Sequence, residues 1–290
     1  MERSSAMHAP PVTLRAPREI EQIARAARTA ADAIREAMSA CREGGTTGEV
    51  AARAAHSFES AGAAGLFRGY RQGNSPPFPA DVCVSVNEEV VHGVPGRRVL
   101  CAGDAVSIDV GIKVDGWCAD MAASVVVPGS ASGCPERVRR IEFMIGTARA
   151  MIRLAAARAA PGVRWSVIAR ELEHSAYGAG FGIVTEYVGH GIGRDLHEPP
   201  KVPCYETGFD GDDFVLREGM VLAVEPILTF ARTPMAGRHA VDSQGLPAWR
   251  TPVRLLADGW TVATADDSPA VHEERLLAIT AGGCRVLADV

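Results

Sequence analysis

Several acidic side chains and one imidazole group stand in or beside apolar runs of this sequence. A carboxylate in such surroundings is costly unless another charge offsets it. The set consists of Asp109, Asp120, His190, Glu225 and Glu274. These side chains offer mostly oxygen ligands, which suit two divalent ions of intermediate hardness that share bridging carboxylates. We therefore predict a centre for two divalent metal ions, with Co, Mn, Fe(II) and Zn as candidates.

A hairpin would bring two of these aspartates together. Asp115 and Gly116 form an Asp-Gly pair, which favours a two-residue turn. In the resulting register Asp109 faces Ala122, and Asp120 is its diagonal neighbour on the same face. Two like charges would repel there, and a bound metal ion is the usual remedy. The alternatives are a proton shared by the two groups, or an Asp120 that only stabilises the turn.

Three histidines occupy positions from which a ring can project into a site. His190 lies between Gly189 and Gly191, where the backbone can approach other groups closely. His92 and His197 lie in turns bounded by glycine and proline, where side chains can reach a substrate. We assign no role to four other histidines, which are His8, His56, His174 and His239.

The composition is typical of a globular protein and excludes several classes of function. The chain has 290 residues, 47% of them hydrophobic, enough for one large domain or two small ones. A net charge of −5 argues against DNA binding by phosphate neutralisation, and no apolar run is long enough to span a membrane. The seven cysteines include no Cys-x-x-Cys pair, and the N-terminus lacks the pattern of a secretory signal. We therefore expect reduced thiols and a cytoplasmic location.

Hydrophobic periodicity predicts the elements that must position these residues. The predicted helices cover residues 20–41, 50–61, 138–155 and 166–178, and the predicted strands cover 82–86, 105–110 and 124–127. Thr46 and Glu49 have the spacing of a capping box before the second helix. Residues 62–80 are rich in glycine and proline and are predicted to form a loop.

The second half of the chain repeats the first. Residues 99–109 align without gaps on residues 215–225, at an offset of 225 − 109 = 116, and each segment ends on a carboxylate. The repeat predicts a single domain of two related halves. The predicted parts are a flexible tail of residues 1–17, a first half of about 18–132 and a second half of about 133–290. A chance likeness between two strands that each follow a glycine is the alternative.

Short motifs along most of the chain occur in the order found in type I methionine aminopeptidases, which the sequence from about Arg18 to Ala288 resembles. The motifs are Val91-His92-Gly93-Val94-Pro95, Ser107-Ile108-Asp109-Val110, Gly189-His190-Gly191-Ile192-Gly193-Arg194, Leu196-His197-Glu198-Pro199, Val224-Glu225-Pro226 and Asp258-Gly259-Trp260-Thr261-Val262. The resemblance implies the pita-bread fold. This is an α/β (α+β) domain with a pseudo-twofold antiparallel sheet and helices on the outside.

The resemblance also implies an activity. The family consists of metal-dependent aminopeptidases that remove the N-terminal methionine from nascent proteins and peptides whose second residue is small. By analogy, the four carboxylates and the imidazole described above would hold the two metal ions. Glu274 is preferred to Glu273 as a ligand because its distance from Thr280 matches the spacing in the family.

The family mechanism is metal-assisted amide hydrolysis, and it implies further roles for three residues. Metal coordination lowers the pKa of water enough to supply a nucleophile near neutral pH. Glu225 would accept the proton and pass it on. His197 resembles the residue that stabilises the developing oxyanion, and His92 resembles the one that contacts the scissile amide nitrogen.

The resemblance further implies an apolar pocket for the methionine side chain. Its matching residues are Phe78, Cys83, Leu196 and Trp260, with Tyr70 as a further candidate. Leu196 stands where the family usually has an aromatic residue, and Trp260 is alternatively a core aromatic.

Two segments depart from the family pattern. Residues 72–77 lengthen a loop before the pocket. Residues 230–250 include extra sequence that we interpret as a solvated insertion, with a segment that borders the cleft or contacts a partner as the alternative.

Two other functions are compatible with the same motifs. One is an Xaa-Pro peptidase of the same fold, although such enzymes usually carry an additional N-terminal domain. The other is a non-catalytic relative that binds a peptide or a ribosomal partner, although such relatives lose metal ligands that this sequence retains. For the aminopeptidase we expect N-terminal peptides as substrates, association with the ribosome and a monomeric state.

Overall fold

The computed structural model describes residues 12–129, 134–208, 213–230 and 249–290. Its helices are α1 Pro17–Ala40, α2 Thr47–Ser60, α3 Pro135–Arg158 and α4 Trp165–Gly178. All four predicted helices are confirmed, with ends that differ by a few residues. Within the described ranges, no helix is both long and apolar enough to cross a membrane. Most of the predicted tail and of the insertion predicted at 230–250 lies outside these ranges.

The strands form antiparallel sheets. They are β1 Ala64–Gly65, β2 Cys83–Val86, β3 Glu89–Val91, β4 Ala105–Val114, β5 Trp117–Val126, β6 Phe181–Ile183, β7 Gly189–Gly191, β8 Glu198–Val202, β9 Val221–Val224, β10 Ile227–Phe230, β11 Val253–Leu255, β12 Val262–Thr264, β13 Ala270–His272, β14 Arg275–Thr280 and β15 Gly283–Val286. Strand β1 lies inside the predicted loop, because residues 64 and 65 pair with β4, a contact that local sequence does not reveal.

The capping box of α2 forms as predicted. The Thr46 hydroxyl accepts a hydrogen bond from the Glu49 backbone N–H at 3.2 Å, and the Glu49 carboxylate accepts one from the Thr46 N–H at 2.8 Å. Helix α1 begins at Pro17, whose fixed φ suits the first helical position. The two helices pack against each other and against β4 and β5, where they cover one core.

The β4–β5 hairpin has the register that the Asp-Gly turn predicts. Asp115 and Gly116 both adopt positive φ, 49° and 79°, as a type I′ turn requires. Asp109 pairs with Ala122, and Asp120 pairs with Gly111. Asp120 is therefore the diagonal neighbour of Asp109. Both strands are longer than predicted. The alanines and glycine in their extensions have low intrinsic strand propensity, so it is pairing and burial that extend the strands.

Each half of the chain places a pair of helices against its own strands. Helices α3 and α4 pack over β6, β10, β13 and β15, and residues of β9 and β14 complete a second core, as α1 and α2 cover the first. Equivalent backbone features recur near the offset of 116. Thr46 forms an isolated bridge with Val99, and Arg164 forms one with Val215. These correspondences support the prediction of two related halves.

One of the contacts between the two halves is a backbone bridge beside the predicted metal ligands. The Glu274 N–H donates to the Ala122 carbonyl at 2.9 Å, and the Ala122 N–H donates to the Glu274 carbonyl at 3.4 Å. Strand β5 of the first half therefore lies beside the segment between β13 and β14 of the second. Ala122 consequently has Asp109 opposite it on one side and Glu274 on the other.

The Gly116→Ala substitution tests the hairpin turn. A side chain at a φ of 79° costs about 1–2 kcal/mol. We expect the free energy of unfolding, measured with urea, to fall by about that amount. Gly96→Ala is the matched control, because a Cβ there meets no atom within 4 Å. Equal stability of the two variants would contradict the turn geometry.

Candidate metal centre and active-site cleft

Strand pairing brings the carboxylates of the two halves together. Asp109 projects from β4 and Asp120 from β5, while Glu274 enters from the other half through its bridge to Ala122. Directly opposed residues of antiparallel strands share a face of the sheet. A small residue at position 122 therefore leaves room between the strands that carry Asp109 and Glu274.

Glycines explain how His190 reaches the same place. Its strand β7 lies between β8 and β9 and pairs with both. A Cβ at Gly189 would lie 2.2 Å from the Ala223 carbonyl oxygen, and one at Gly191 would lie 2.2 Å from the Pro199 oxygen. Only glycine fits at either position, so the Gly-His-Gly motif is a packing requirement that leaves the imidazole as the single projecting group.

The orientation of the His190 ring suits metal binding. Nδ1 lies 2.9 Å from the Gly191 carbonyl oxygen and donates a proton to it, which leaves Nε2 to face the carboxylates. That Nε2 atom lies 3.7 Å from Asp120 Oδ2 and 4.0 Å from Glu274 Oε1. Metal-ligating histidines generally donate their other ring N–H to a carbonyl or a carboxylate in this way.

All five residues predicted as ligands converge. Their ligand atoms form overlapping groups in which every pair lies within 4.8 Å. One group is Asp109, Asp120 and Glu274, another is His190, Glu225 and Glu274, and a third is Asp120, His190 and His197. Glu225 directly follows β9. Glu274 belongs to two of the groups and stands where it can contact both ions.

Glu273 points away from this cluster. Its buried carboxylate accepts hydrogen bonds from the Ser124 backbone N–H at 2.9 Å and from Arg149 at 3.1 Å, and it also forms an ion pair with Arg275 at 3.4 Å. The two arginines balance the charge of Glu273, and the hydrogen bonds from Arg149 and the backbone amide go to one of its two oxygens. The geometry therefore favours Glu274, the residue that the family spacing also favours.

Electrostatics supports a cation at this site. Burial raises the pKa of Asp109 well above its ordinary value, and the charges of Asp120 and Glu225 raise it further. Burial and the same two neighbours, together with Asp109, raise the pKa of Glu274. Asp120 is also buried, but the neighbouring His190 outweighs that effect and lowers its pKa. Without a cation, the ionised cluster is destabilised by its own repulsion.

Unpartnered oxygen atoms show that the cluster fits metal ions. Within the described ranges, three of its buried carboxylate oxygens have no hydrogen-bond partner, namely Asp109 Oδ1, Asp120 Oδ1 and Glu274 Oε1. Buried polar atoms are nearly always paired, so these oxygens require a ligand that protein groups do not supply. Carboxylate oxygens with one imidazole nitrogen are a suitable donor set for two divalent ions.

The cluster lies at the floor of a cavity of about 850 Å³. Every residue predicted for the substrate pocket lines it, namely Tyr70, Phe78, Cys83, Leu196 and Trp260. The Phe78 and Trp260 rings meet edge to face at 5.3 Å. Trp260 is also 95% buried, so it belongs to both the wall and a small core cluster. Its indole N–H donates to the Pro76 carbonyl at 2.8 Å, so the lengthened loop 72–77 supports the pocket.

The two turn histidines flank the cluster. Burial lowers the pKa of His92 to about 4, so its imidazole is neutral near pH 7. Partial burial and the neighbouring His190 lower the pKa of His197. The centre of the His197 ring is 4.5 Å from that of His190, and its Nδ1 is 3.2 Å from the Tyr70 hydroxyl. Two neutral imidazoles therefore face the metal centre from the cavity walls.

One histidine of the site was missed by the sequence analysis. His272 ends β13 and lines the cavity, with Nε2 3.3 Å from Glu225 Oε2 and 3.9 Å from Glu274 Oε2. A usable signal was present, because alternate residues of an extended strand share a face and His272 lies two before Glu274. Local sequence does not say which face of that strand meets the other half.

Comparison with known proteins assigns the family. Residues 21–281 match the description of metallopeptidase family M24. The chain belongs to this metallopeptidase family. It is therefore an enzyme, and the clustered carboxylates and histidines are consistent with its use of divalent metal ions.

Relatives in this family include methionine aminopeptidases. Methionine aminopeptidase 1 of Bacillus subtilis is 34% identical over 279 residues, which cover 96% of this chain and all of the relative. The methionine aminopeptidase of Aquifex aeolicus is 33% identical over 285 residues, 96% of this chain and 99% of the relative. Sequence similarity thus extends over almost the full length of these proteins.

Solved structures confirm the pita-bread fold. The methionine aminopeptidase of Thermotoga maritima matches with a TM-score of 0.81 and 31% identity, covering 97% of this chain and all of that one. The prolidase of Pyrococcus horikoshii matches with a TM-score of 0.65 and 20% identity, covering 96% of this chain but 63% of the prolidase. The second likeness shows the shared fold alone.

Asp109→Asn tests the charge balance of the centre. When metal is removed by a chelator, the raised pKa of Asp109 and Glu274 means that the folded chain retains protons which the unfolded chain releases. The free energy of unfolding is then highest below the ordinary carboxyl pKa of about 4. It falls as the pH rises toward the raised pKa values of Asp109 and Glu274 in the folded chain. We expect the metal-free variant to lose less stability between about pH 5 and 8 than the metal-free wild type.

Urea unfolding at several pH values, with chelator or with added Co or Mn, measures this effect. Added metal should stabilise the wild type and should stabilise Asp109→Asn much less. Asp32→Asn, at an exposed position on α1, is the control and should behave as wild type. An identical pH slope in metal-free Asp109→Asn and wild type would show that repulsion at this site is unimportant.

Proposed function

We propose that the protein is a methionine aminopeptidase that removes the N-terminal methionine from peptides and nascent proteins whose second residue is small. The observation that carries this proposal is a cluster of four carboxylates and an imidazole at the floor of an apolar, aromatic-walled cavity. Relatives about one third identical over nearly the whole chain are methionine aminopeptidases, which supports the substrate.

We assign the metal ligands as Asp109, Asp120, His190, Glu225 and Glu274, which together hold two divalent ions. Bound divalent ions supply Lewis-acid activation of water and of the scissile carbonyl group. Glu225 is the proton carrier, because its partly exposed carboxylate stands at the edge of the cluster and faces the cavity. It accepts a proton from the attacking water and passes it to the leaving amine.

The neutral histidines have complementary hydrogen-bonding roles. The hydroxyl of Tyr70 lies 3.2 Å from Nδ1 of His197, and we assign the hydroxyl as the donor, which places the proton of this imidazole on Nε2. His197 then stabilises negative charge on the carbonyl oxygen by donating that N–H. His92, with its low pKa, presents a neutral imidazole that accepts a hydrogen bond from the scissile amide nitrogen.

The cavity wall determines which side chain fits. Phe78, Trp260 and Tyr70 offer aromatic faces, and Cys83 and Leu196 offer a sulfur atom and an aliphatic group. A flexible thioether packs favourably against aromatic rings and adapts to an irregular apolar space. This wall suits a methionine side chain. Leu196 replaces an aromatic residue that is usual in the family, which leaves one side of the pocket less confined.

The cellular setting follows from the substrate. We propose that the enzyme acts in the cytoplasm as a monomer and meets nascent chains at the ribosome. Its net charge of −5 makes simple electrostatic attraction to ribosomal RNA unfavourable, so this association would require protein contacts or would be brief.

A peptide assay tests the proposed reaction. The purified chain, supplied with Mn, Co or Fe(II), should release methionine from Met-Ala-Ser but not from Met-Lys-Ser. Asp109→Ala should abolish turnover, because it removes a ligand, and Asp32→Ala should not. Cleavage of Xaa-Pro peptides alone would favour the prolidase-like function, and metal binding without any cleavage would favour a binding protein.

Tyr70→Phe tests the orientation of His197. The substitution retains the ring of the pocket wall and removes the hydrogen bond to Nδ1. We expect kcat for Met-Ala-Ser to fall about 10-fold with little change in KM, because a misoriented donor weakens transition-state binding alone. Tyr177→Phe, on α4 away from the cavity, is the control. A rise in KM at unchanged kcat would assign Tyr70 to substrate binding only.

A further inference from the structure

His272 is a buried imidazole with no role in the scheme above. Its side chain is 4% exposed, and within the described residues its Nε2 atom has no hydrogen-bond partner. That atom lies 3.3 Å from Glu225 Oε2, within ion-pair distance, but the contact does not have the geometry of a hydrogen bond. A buried, unpaired ring nitrogen is costly, so an additional ligand is expected at this atom.

Hydrogen bonds from both halves hold the backbone of His272 in place. The His272 N–H is shared between the hydroxyls of Ser107 at 3.2 Å and Ser124 at 3.1 Å. Ser124 in turn donates to the His272 carbonyl at 2.9 Å, and the two serine hydroxyls are 2.8 Å apart. Residue 272 also pairs with Ile227 of β10. Both halves of the domain therefore fix the backbone of His272, and its buried ring lies beside Glu225.

We propose that His272 Nε2 is a sixth ligand of the metal centre, on the ion bound by Glu225 and Glu274. This inference rests on the metal site of the proposed function. Ligand atoms about 2.1 Å from one ion are separated by about 3.0–3.4 Å at the usual bond angles. The 3.3 Å between His272 Nε2 and Glu225 Oε2 fits this range, and the 3.9 Å to Glu274 Oε2 requires a small shift.

A second imidazole changes the chemistry of the centre. With both His190 and His272, the set becomes two nitrogen and four carboxylate ligands. Imidazole suits Co, Fe and Zn better than Mn, whose preferred ligands are carboxylates and water. The sixth ligand therefore increases the preference of the centre for Co over Mn.

Proton NMR of the Co-loaded full-length protein tests the proposal directly. A histidine that binds paramagnetic Co through Nε2 shows its Nδ1–H as a strongly shifted signal that disappears in D₂O. We expect two such signals in wild type and one in His272→Gln. One signal in wild type overturns the proposal without any variant, even if His272→Gln does not fold.

Metal titration by calorimetry is the second measurement. We expect His272→Gln to bind Co at least about 10-fold more weakly than wild type and to lose less affinity for Mn. His174→Gln, an exposed position on α4, is the matched control and should retain both affinities. Unchanged Co affinity in His272→Gln would overturn the sixth ligand.

The test of His272 as a ligand can fail or succeed independently of the test of the proposed aminopeptidase function. Wild type that releases methionine from Met-Ala-Ser but shows one shifted signal would disprove the role of His272 alone. Two signals without peptide cleavage would retain His272 as a ligand and disprove the aminopeptidase function.

Discussion

Repulsion among buried carboxylates is the constraint on which this structure depends. Asp109, Asp120 and Glu274 present oxygen atoms within 4.8 Å of one another at the floor of a cavity. Like charges at such distances in a partly desolvated site strongly oppose ionisation. Divalent cations relieve this repulsion and in turn give the cluster its chemistry. The fold therefore holds the ionised carboxylates in an arrangement that is favourable only when metal ions are bound.

Strand pairing maintains the arrangement. Ala122 separates Asp109 from Glu274, and Ala223 lies between His190 and Leu276. Small residues between the ligand-bearing strands keep the space clear for the ions. Because sheet backbone rather than flexible loops carries most of these side chains, the ligands need little reorganisation when metal binds.

Local rules account for part of the site. The Asp-Gly turn determines the hairpin register, so the Asp109–Ala122 pair and the diagonal Asp120 could be predicted from spacing. Local rules do not decide between Glu273 and Glu274, because both are acidic and adjacent and alternation does not say which one faces inward; only the family resemblance favoured Glu274. The bridge to Ala122 makes that choice, and the same bridge brings His272, two residues earlier, toward Glu225.

The sequence by itself determined the helices, the hairpin and the internal repeat, and its motifs identified the family and the residues able to bind metal. These features depend on interactions between residues close in the chain or on patterns that the chain displays directly. Only the tertiary structure decided that His272 faces the centre, that Glu273 is neutralised by Arg149 and Arg275, and that residues 72–77 support Trp260. Each of these depends on contacts between distant segments, whose geometry is set by how the two halves pack.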